Sequence, residues 1–368
     1  MITLESKTGP NITIDHTSYH YFAGNNYLGL ASNPELINKA IDALIHYGTN
    51  FSASRQTTGT ADIHLELETK LARFKVKQAA VVFASGYMGN KLLMDYLKSE
   101  CPVVLTDAMA HSSIIDGIPR DIETIDTYKH LDTVHLESLL KKYAGKRALI
   151  ASDGLFALTG EIAPLDKIHR LAEKYDALIL IDDAHATGIL GKNGRGTPEH
   201  FELADSPRIY QAETMSKAIG SYGGFIAGST EMIQIIRGKS AFYGASTSLP
   251  PALVASGSAA LDYIKEHPEL QQQLLANIRY LKIGIKQLEL KTSTAETPII
   301  PIFFNKKADA QKLSTYLKDH QIIAPAVDYP VKTDQYIVRL TVSAAHTQDQ
   351  VKYLISTLKT WTEDYGRN

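Results

Sequence analysis

The sequence predicts an α/β protein in which a large, mostly parallel sheet carries helices on both faces and a smaller α+β domain follows. Three observations predict it. Short apolar runs alternate with segments of helical periodicity from about residue 60 to 250, and strands separated by helices imply parallel pairing through crossovers. The run Ala177-Leu178-Ile179-Leu180-Ile181 is apolar at every position, as a central strand buried on both faces requires. Beyond residue 297 the pattern changes to strand, helix, strand and closing helix.

In chain order, strands are expected at 79–84, 103–105, 148–151, 177–181, 209–211 and 225–227, with helices at 63–74, 90–98, 133–143 and 165–175. Pro250-Pro251 opens a helical stretch, because proline is tolerated in a first turn. This stretch is expected to run to about Leu290 and to bridge to the second domain. The last part reads as strands at 299–304 and 337–342 and helices at 308–320 and 347–365. The implied division is an arm (1–45), a large domain (46–265) and a small carboxyl-terminal domain with its linking helix (266–368).

Bulk properties narrow the function. The 368 residues carry 38 basic and 40 acidic side chains, a net charge of −2, so no global field recruits nucleic acid or an anionic membrane. No run approaches the ~20 apolar residues of a membrane span. Cys101 is the only cysteine, which excludes an intrachain disulfide framework and fits a reducing cytoplasm. The amino end lacks a basic segment followed by an apolar stretch, so export is not expected.

The chemistry centres on Lys217, in Thr214-Met215-Ser216-Lys217-Ala218-Ile219-Gly220, about thirty residues after Asp182-Asp183-Ala184-His185. A lysine amine forms a Schiff base with an aldehyde cofactor, and an aspartate that keeps a pyridine nitrogen protonated lets the ring withdraw electrons. Asp182 closes the apolar run, and ligands bind at the carboxyl ends of such strands. Ala218, Gly220, Gly223 and Gly224 leave room for a planar ring, and the Thr214 hydroxyl suits a phosphate. The set reads as a pyridoxal phosphate (PLP) site. A lone Ser-Lys pair would be a surface feature, and Asp-Asp-Ala-His alone a helix cap with a satisfied histidine; the combination favours the cofactor. A metal site at His130, Asp132 and His135 has no third histidine at suitable spacing, and a cluster of Asp182, Asp183 and His185 leaves the lysine segment unexplained. No metal is expected.

Further motifs carry a resemblance. Asn25-Asn26-Tyr27-Leu28-Gly29, Gly59-Thr60 with His64, Ser85-Gly86-Tyr87, Asp107 with His111, Asp153-Gly154, Gly194-Arg195-Gly196, Ser246-Thr247-Ser248-Leu249-Pro250-Pro251 and Arg339-Leu340-Thr341 stand in order around the lysine and aspartate segments. The chain resembles the α-oxoamine synthases, fold-type-I PLP enzymes that join an amino acid to an acyl thioester with loss of carbon dioxide. The resemblance implies a seven-stranded sheet and a homodimer with shared active sites. It implies Lys217 as Schiff-base lysine and proton carrier, Asp182 at the pyridine nitrogen, His185 beside the phenolic oxygen and His111 stacked on the ring. Ser85, Gly86 and Tyr87, at a helix start whose amides attract anions, would hold the phosphate with Thr214, and Ser246 and Thr247 would reach the neighbouring subunit's phosphate. Arg339, with Asn25 and Ser54 nearby, would grip the amino acid carboxylate, a bidentate task suited to guanidinium; Arg55 is the alternative cation. Ser52-Ala53-Ser54-Arg55 and the 246–251 segment point to alanine and a pimeloyl thioester, ahead of glycine and acetyl-coenzyme A. An aminotransferase would share the lysine and aspartate but not the matches at 246–251 and 339–347. Two departures stand out: Ala157 replaces the usual serine, and an amino-terminal arginine of relatives has no counterpart.

Overall fold

The computed structural model describes residues 2–327 and 335–366. Contacts divide the chain into one unit of Pro34–Phe156 with Ile162–Lys265 and another of Met1–Asn33, Ala157–Glu161 and Glu266–Asn368. The expected arm at 1–45 is therefore not a separate piece. Residues up to Asn33 group with the carboxyl-terminal part, and the helix Pro34–Tyr47 belongs to the larger unit.

The larger unit is built on seven strands: β1 (Ala79–Phe83), β2 (Val103–Asp107), β3 (Thr124–Tyr128), β4 (Ala148–Asp153), β5 (Leu178–Asp182), β6 (Ile209–Thr214) and β7 (Gly224–Gly228). Their order across the sheet is β1-β7-β6-β5-β4-β2-β3. Only β7 runs against its neighbours; the pairs from β6 through β3 are parallel. The apolar run behaves as its pattern requires. Leu178 and Leu180 join one core layer with Leu92, Leu93 and Ile226, while Ile179 and Ile181 join the opposite layer with Leu136 and Ile168. Alternation of side chains across the strand places both faces in apolar surroundings.

Three elements differ from expectation. β3, Thr-Ile-Asp-Thr-Tyr, escapes a search for apolar runs because it is the edge strand and alternates between half-buried and exposed positions. The long helix after Pro250 is two helices, Pro251–Glu266 and Glu269–Gln287. Pro268 at the junction lacks the N–H that a continuous helix would use, and it biases His267 away from helical backbone. In the smaller unit Asn11–Ile14 and Thr17–Tyr21 form a hairpin. Its two-residue turn, Asp15-His16, has φ 47° and 60°, the left-handed pair that a tight hairpin demands, but without the glycine that would announce it. Ile322–Ile323 adds to this hairpin in parallel.

The rest of the smaller unit pairs Ile299–Phe304 antiparallel with Tyr336–Thr341, which also pairs with Ala326–Val327. The helices Lys307–Asp319 and Gln348–Tyr365 complete it. Among the described residues no helix is long and apolar enough to cross a membrane.

Leu180 has no exposed surface. Replacing it with alanine is expected to destabilise the protein by about 2–5 kcal/mol, the usual cost of a core cavity, read as a lowered denaturant midpoint.

Candidate active site

An open cavity lies at the carboxyl edge of the sheet, where four connections converge. Ser85, Gly86 and Tyr87 enter it after β1, His111 after β2, Asp182 and His185 at and after β5, and Thr214 and Lys217 at and after β6. These sequence-expected residues share one site. Asp153, at the end of β4, and Ser113, Ala184 and Ser216 also line it, and the sequence reading assigned them no part.

Asp182 is 9% exposed and its carboxylate is held by the protein. Oδ2 accepts from Asn90 Nδ2 at 2.7 Å, with Ser113 Oγ 3.3 Å away, and Oδ1 accepts from the Ala184 amide at 3.1 Å. These donors replace the water that burial removes from the carboxylate. His111 is both helix cap and cavity wall: its Nδ1 accepts from the Ser113 amide at 3.2 Å, at the start of Ser112–Gly117. Burial holds its pKa below the ordinary histidine value, against the pull of Asp182. Tyr87 meets the His111 ring edge-on at 6.0 Å. Asp153 accepts the His111 amide at 3.2 Å; burial, then the Asp182 charge, pushes its pKa well above the usual carboxylate range.

The turn that carries Lys217 is closed by its own backbone. Met215 donates to Gly223 O at 2.9 Å, Ser221 to Met215 O at 2.9 Å and Gly220 to Lys217 O at 3.0 Å. Thr214 Oγ1 donates to Gly223 O at 2.9 Å and accepts the Ser216 amide at 3.1 Å, so this hydroxyl anchors the lysine turn. Gly86 is needed for close approach: a Cβ there would sit 2.8 Å from Thr214 Cβ. Behind β6 the polar set continues. Asp183 accepts from the Thr197 amide at 2.9 Å and from Gln211 Nε2 at 2.8 Å, which fixes the loop bearing His185.

Ser246 and Thr247 do not line this cavity. Ser246 Oγ donates to Phe242 O at 2.9 Å, and Thr247 bridges Ser54. His64 pins the next residues, its Nε2 lying 3.1 Å from Leu249 O. Ser54 Oγ lies 3.3 Å from Thr57 Oγ1.

In the smaller unit Arg339 is 9% exposed, and among the described residues its hydrogen-bond acceptors are neutral. It donates to Ala157 O at 2.6 Å, Thr341 Oγ1 at 2.8 Å, Asn25 Oδ1 at 3.0 Å and Gly24 O at 3.4 Å. Asn25 and Arg339 are thus brought together, and Ala157, the departure noted in the sequence, contributes its carbonyl. Arg55 is different: it makes a two-pronged pair with Glu68, both contacts 3.0 Å, and Arg237 meets the same carboxylate at 2.7 Å. The imagined metal ligands are likewise engaged. His130 Nδ1 lies 2.8 Å from Asp107, Asp132 caps the helix Thr133–Lys142, and His135 Nδ1 accepts the Lys129 amide at 3.0 Å. Among the described residues no group of three or more His, Cys, Asp or Glu is placed to hold a metal.

Comparison with known proteins identifies the family. The family described as aminotransferase class I and II matches residues 20–358. 8-Amino-7-oxononanoate synthase 1 of Bacillus subtilis is 39% identical over 358 residues, covering 97% of this chain and 91% of that protein. The 8-amino-7-oxononanoate synthase of Exiguobacterium sibiricum is 38% identical over 361 residues, covering 98% and 92%. Among solved structures, serine palmitoyltransferase of S. paucimobilis with a bound PLP–myriocin aldimine superposes with a TM-score of 0.94 at 26% identity, covering 100% and 93%. 8-Amino-7-oxononanoate synthase from Francisella tularensis gives 0.80 at 25% identity, covering 94% and 98%. The chain belongs to the class I and II aminotransferase family. Within it, this is a PLP-dependent α-oxoamine synthase, an acyltransferase.

The cavity of this α-oxoamine synthase fits that cofactor. It offers a carboxylate fixed by donors, an amine on a rigid turn and an imidazole, together with a helix start (Tyr87–Leu97) at which a glycine removes the side chain that would intrude. Amides and the dipole at such a start favour a phosphate. The missed residues had weak signals: Asn90 stands with Lys91 and Asp95 on a helix of mixed composition, and Asp153, in a motif that the sequence matched, carried no assigned role.

Arg55 is a structural cation. Arg55→Ala is expected to cost about 3–5 kcal/mol, because it leaves the buried Glu68 with a half-exposed partner alone. Urea denaturation checks this, and stability within experimental error of wild type would contradict it.

Proposed function

We propose that this α-oxoamine synthase condenses L-alanine with a pimeloyl thioester, on coenzyme A or a carrier protein, to give 8-amino-7-oxononanoate, a step of biotin synthesis. The observation that carries the reading is near-full-length identity of 36–39% to proteins of that activity, over a chain that keeps the lysine, aspartate and both cavity histidines. When bound, PLP supplies an electron sink for the negative charge that develops at the α-carbon of the amino acid.

The chain's own residues divide the remaining work. Lys217 holds the cofactor, then moves the proton from the α-carbon and later returns one. Asp182 would hold a proton at the pyridine nitrogen, His185 would donate toward the phenolic oxygen, and His111 would lie against the ring. Ser85, Gly86, Tyr87 and Thr214 form the phosphate corner. Arg339 takes the amino acid carboxylate with help from Asn25 and Ser54. Among the described residues this guanidinium donates to carbonyl, amide and hydroxyl oxygens, and an incoming carboxylate would add a charged partner. Ser246 and Thr247, turned away from their own cavity, act on the phosphate of a second copy, so the working form is a homodimer.

Product identification decides the substrate. Alanine, glycine and serine are each offered with pimeloyl-, acetyl- and palmitoyl-coenzyme A, and products are read by mass spectrometry. Alanine with the pimeloyl thioester is expected to dominate; preferred turnover of glycine with acetyl-coenzyme A would move the assignment to the 2-amino-3-ketobutyrate branch. Lys217→Ala should abolish turnover, and borohydride should fix the cofactor to Lys217 in the unaltered protein.

Site sharing has its own test. Mixing Lys217→Ala chains with Thr247→Ala chains creates hybrids with one site free of both changes. Recovered activity is expected, and its absence, or an active monomer, would refute sharing.

A further inference from the structure

Two side chains to which no function has been assigned meet at the cavity wall, Ser113 lining it and Asn90 packed beside Ser113. Asn90, on the helix Tyr87–Leu97, has no exposed surface, and Ser113, on Ser112–Gly117, is 1% exposed. Their contacts can be assigned proton by proton. The Ser113 backbone amide lies 3.2 Å from His111 Nδ1; an amide only donates, so Nδ1 carries no proton. The Ser113 hydroxyl lies 2.7 Å from the same nitrogen, too near for two facing lone pairs, so its one proton points at Nδ1. That hydroxyl then has no proton for Asp182 Oδ2, 3.3 Å away.

The Asn90 amide resolves the conflict. Its nitrogen has two protons, and it lies 2.8 Å from Ser113 Oγ and 2.7 Å from Asp182 Oδ2. The other end of the amide, Oδ1, is buried and has no hydrogen-bond partner among the described residues, so the two acceptors set its orientation. Reversing the amide would face its oxygen toward a carboxylate and lose both bonds.

We infer that Asn90 and Ser113 are positioning residues, a buried relay that seats the Asp182 carboxylate and fixes His111 as the tautomer with its proton on Nε2. The purpose of the relay rests on the PLP reading, since one relay then orients both the group at the pyridine nitrogen and the group at the ring face. The proton placement rests on this chain's contacts alone. Charged groups around His111 are Asp182, Asp116 and Lys217, with Asp153 on its backbone amide.

The test uses 15N-histidine-labelled, cofactor-free protein at pH 7, followed by titration with PLP. Unaltered protein is expected to show His111 with bare Nδ1 and protonated Nε2. Asn90→Leu keeps the shape and removes both donors. It should shift both His111 ring signals although residue 90 does not touch the imidazole, and Ser113→Ala should shift them as well. PLP binding should weaken about tenfold in Asn90→Leu, the size of one lost hydrogen bond to a charged group, and less in Ser113→Ala, whose hydroxyl donates to the neutral imidazole. Unchanged His111 signals in a folded Asn90→Leu protein would overturn the relay. If that variant does not fold, unchanged signals in Ser113→Ala overturn it instead. Unaltered protein that fails to bind PLP would sink the proposed function, whereas the ring-nitrogen result is read before any cofactor is added.

Discussion

A carboxylate buried at the end of the central strand is the constraint around which this site is built. Asp182 ends β5 with 9% of its surface exposed, where a polar group must find its hydrogen-bond partners within the protein. The chain meets that demand with two donors, the Asn90 side-chain amide and the backbone amide of Ala184, and Asn90 also donates to the Ser113 hydroxyl. Each donor comes from a different element. The two helices and the loop that frame the cavity are thereby tied to one atom group, and His111 is tied to the same set through Ser113.

β6 shows how one strand serves two environments. Ala212 and Thr214 face the helix Tyr87–Leu97, where Gly86 and Gly89 allow close approach. Gln211 and Glu213 face the other way, into a buried polar layer with Asp183, Thr187 and Lys75. Burial pushes the Glu213 carboxyl up to about 7, and Lys75, 2.7 Å away, works against it. Buried pairs of this kind add little net stability, because both ions lose water. They do restrict geometry: the layer holds β6 and the loop after Asp183, and so holds Lys217 and His185 at the two ends of that connection.

Two buried arginines separate structural from unsatisfied charge. Arg55 meets Glu68 through both nitrogens of its fork, and the pair closes on itself. Arg339 donates to four neutral acceptors, and among the described residues no carboxylate is paired with it. Both sit in motifs that looked functional in the sequence. Their partners, which are distant in the chain, distinguish them.

The sequence by itself determined what local pattern and chemistry encode. An apolar run has only one stable setting, a strand covered on both faces, so β5 and the position of Asp182 at its carboxyl end were legible. Likewise the small residues around Lys217 declared a tight turn beside a ligand. The edge strand β3, the glycine-free hairpin at Asp15-His16 and the break at Pro268 were missed because their signals are weak or depend on neighbours. Asn90 and Ser113 were invisible for a stronger reason. An asparagine in a helix of mixed composition and a serine after a histidine have no meaning until packing places them within hydrogen-bond reach of an aspartate 92 and 69 residues away. Hydrogen bonds act over about 3 Å, and only the tertiary structure decides which side chains come that close.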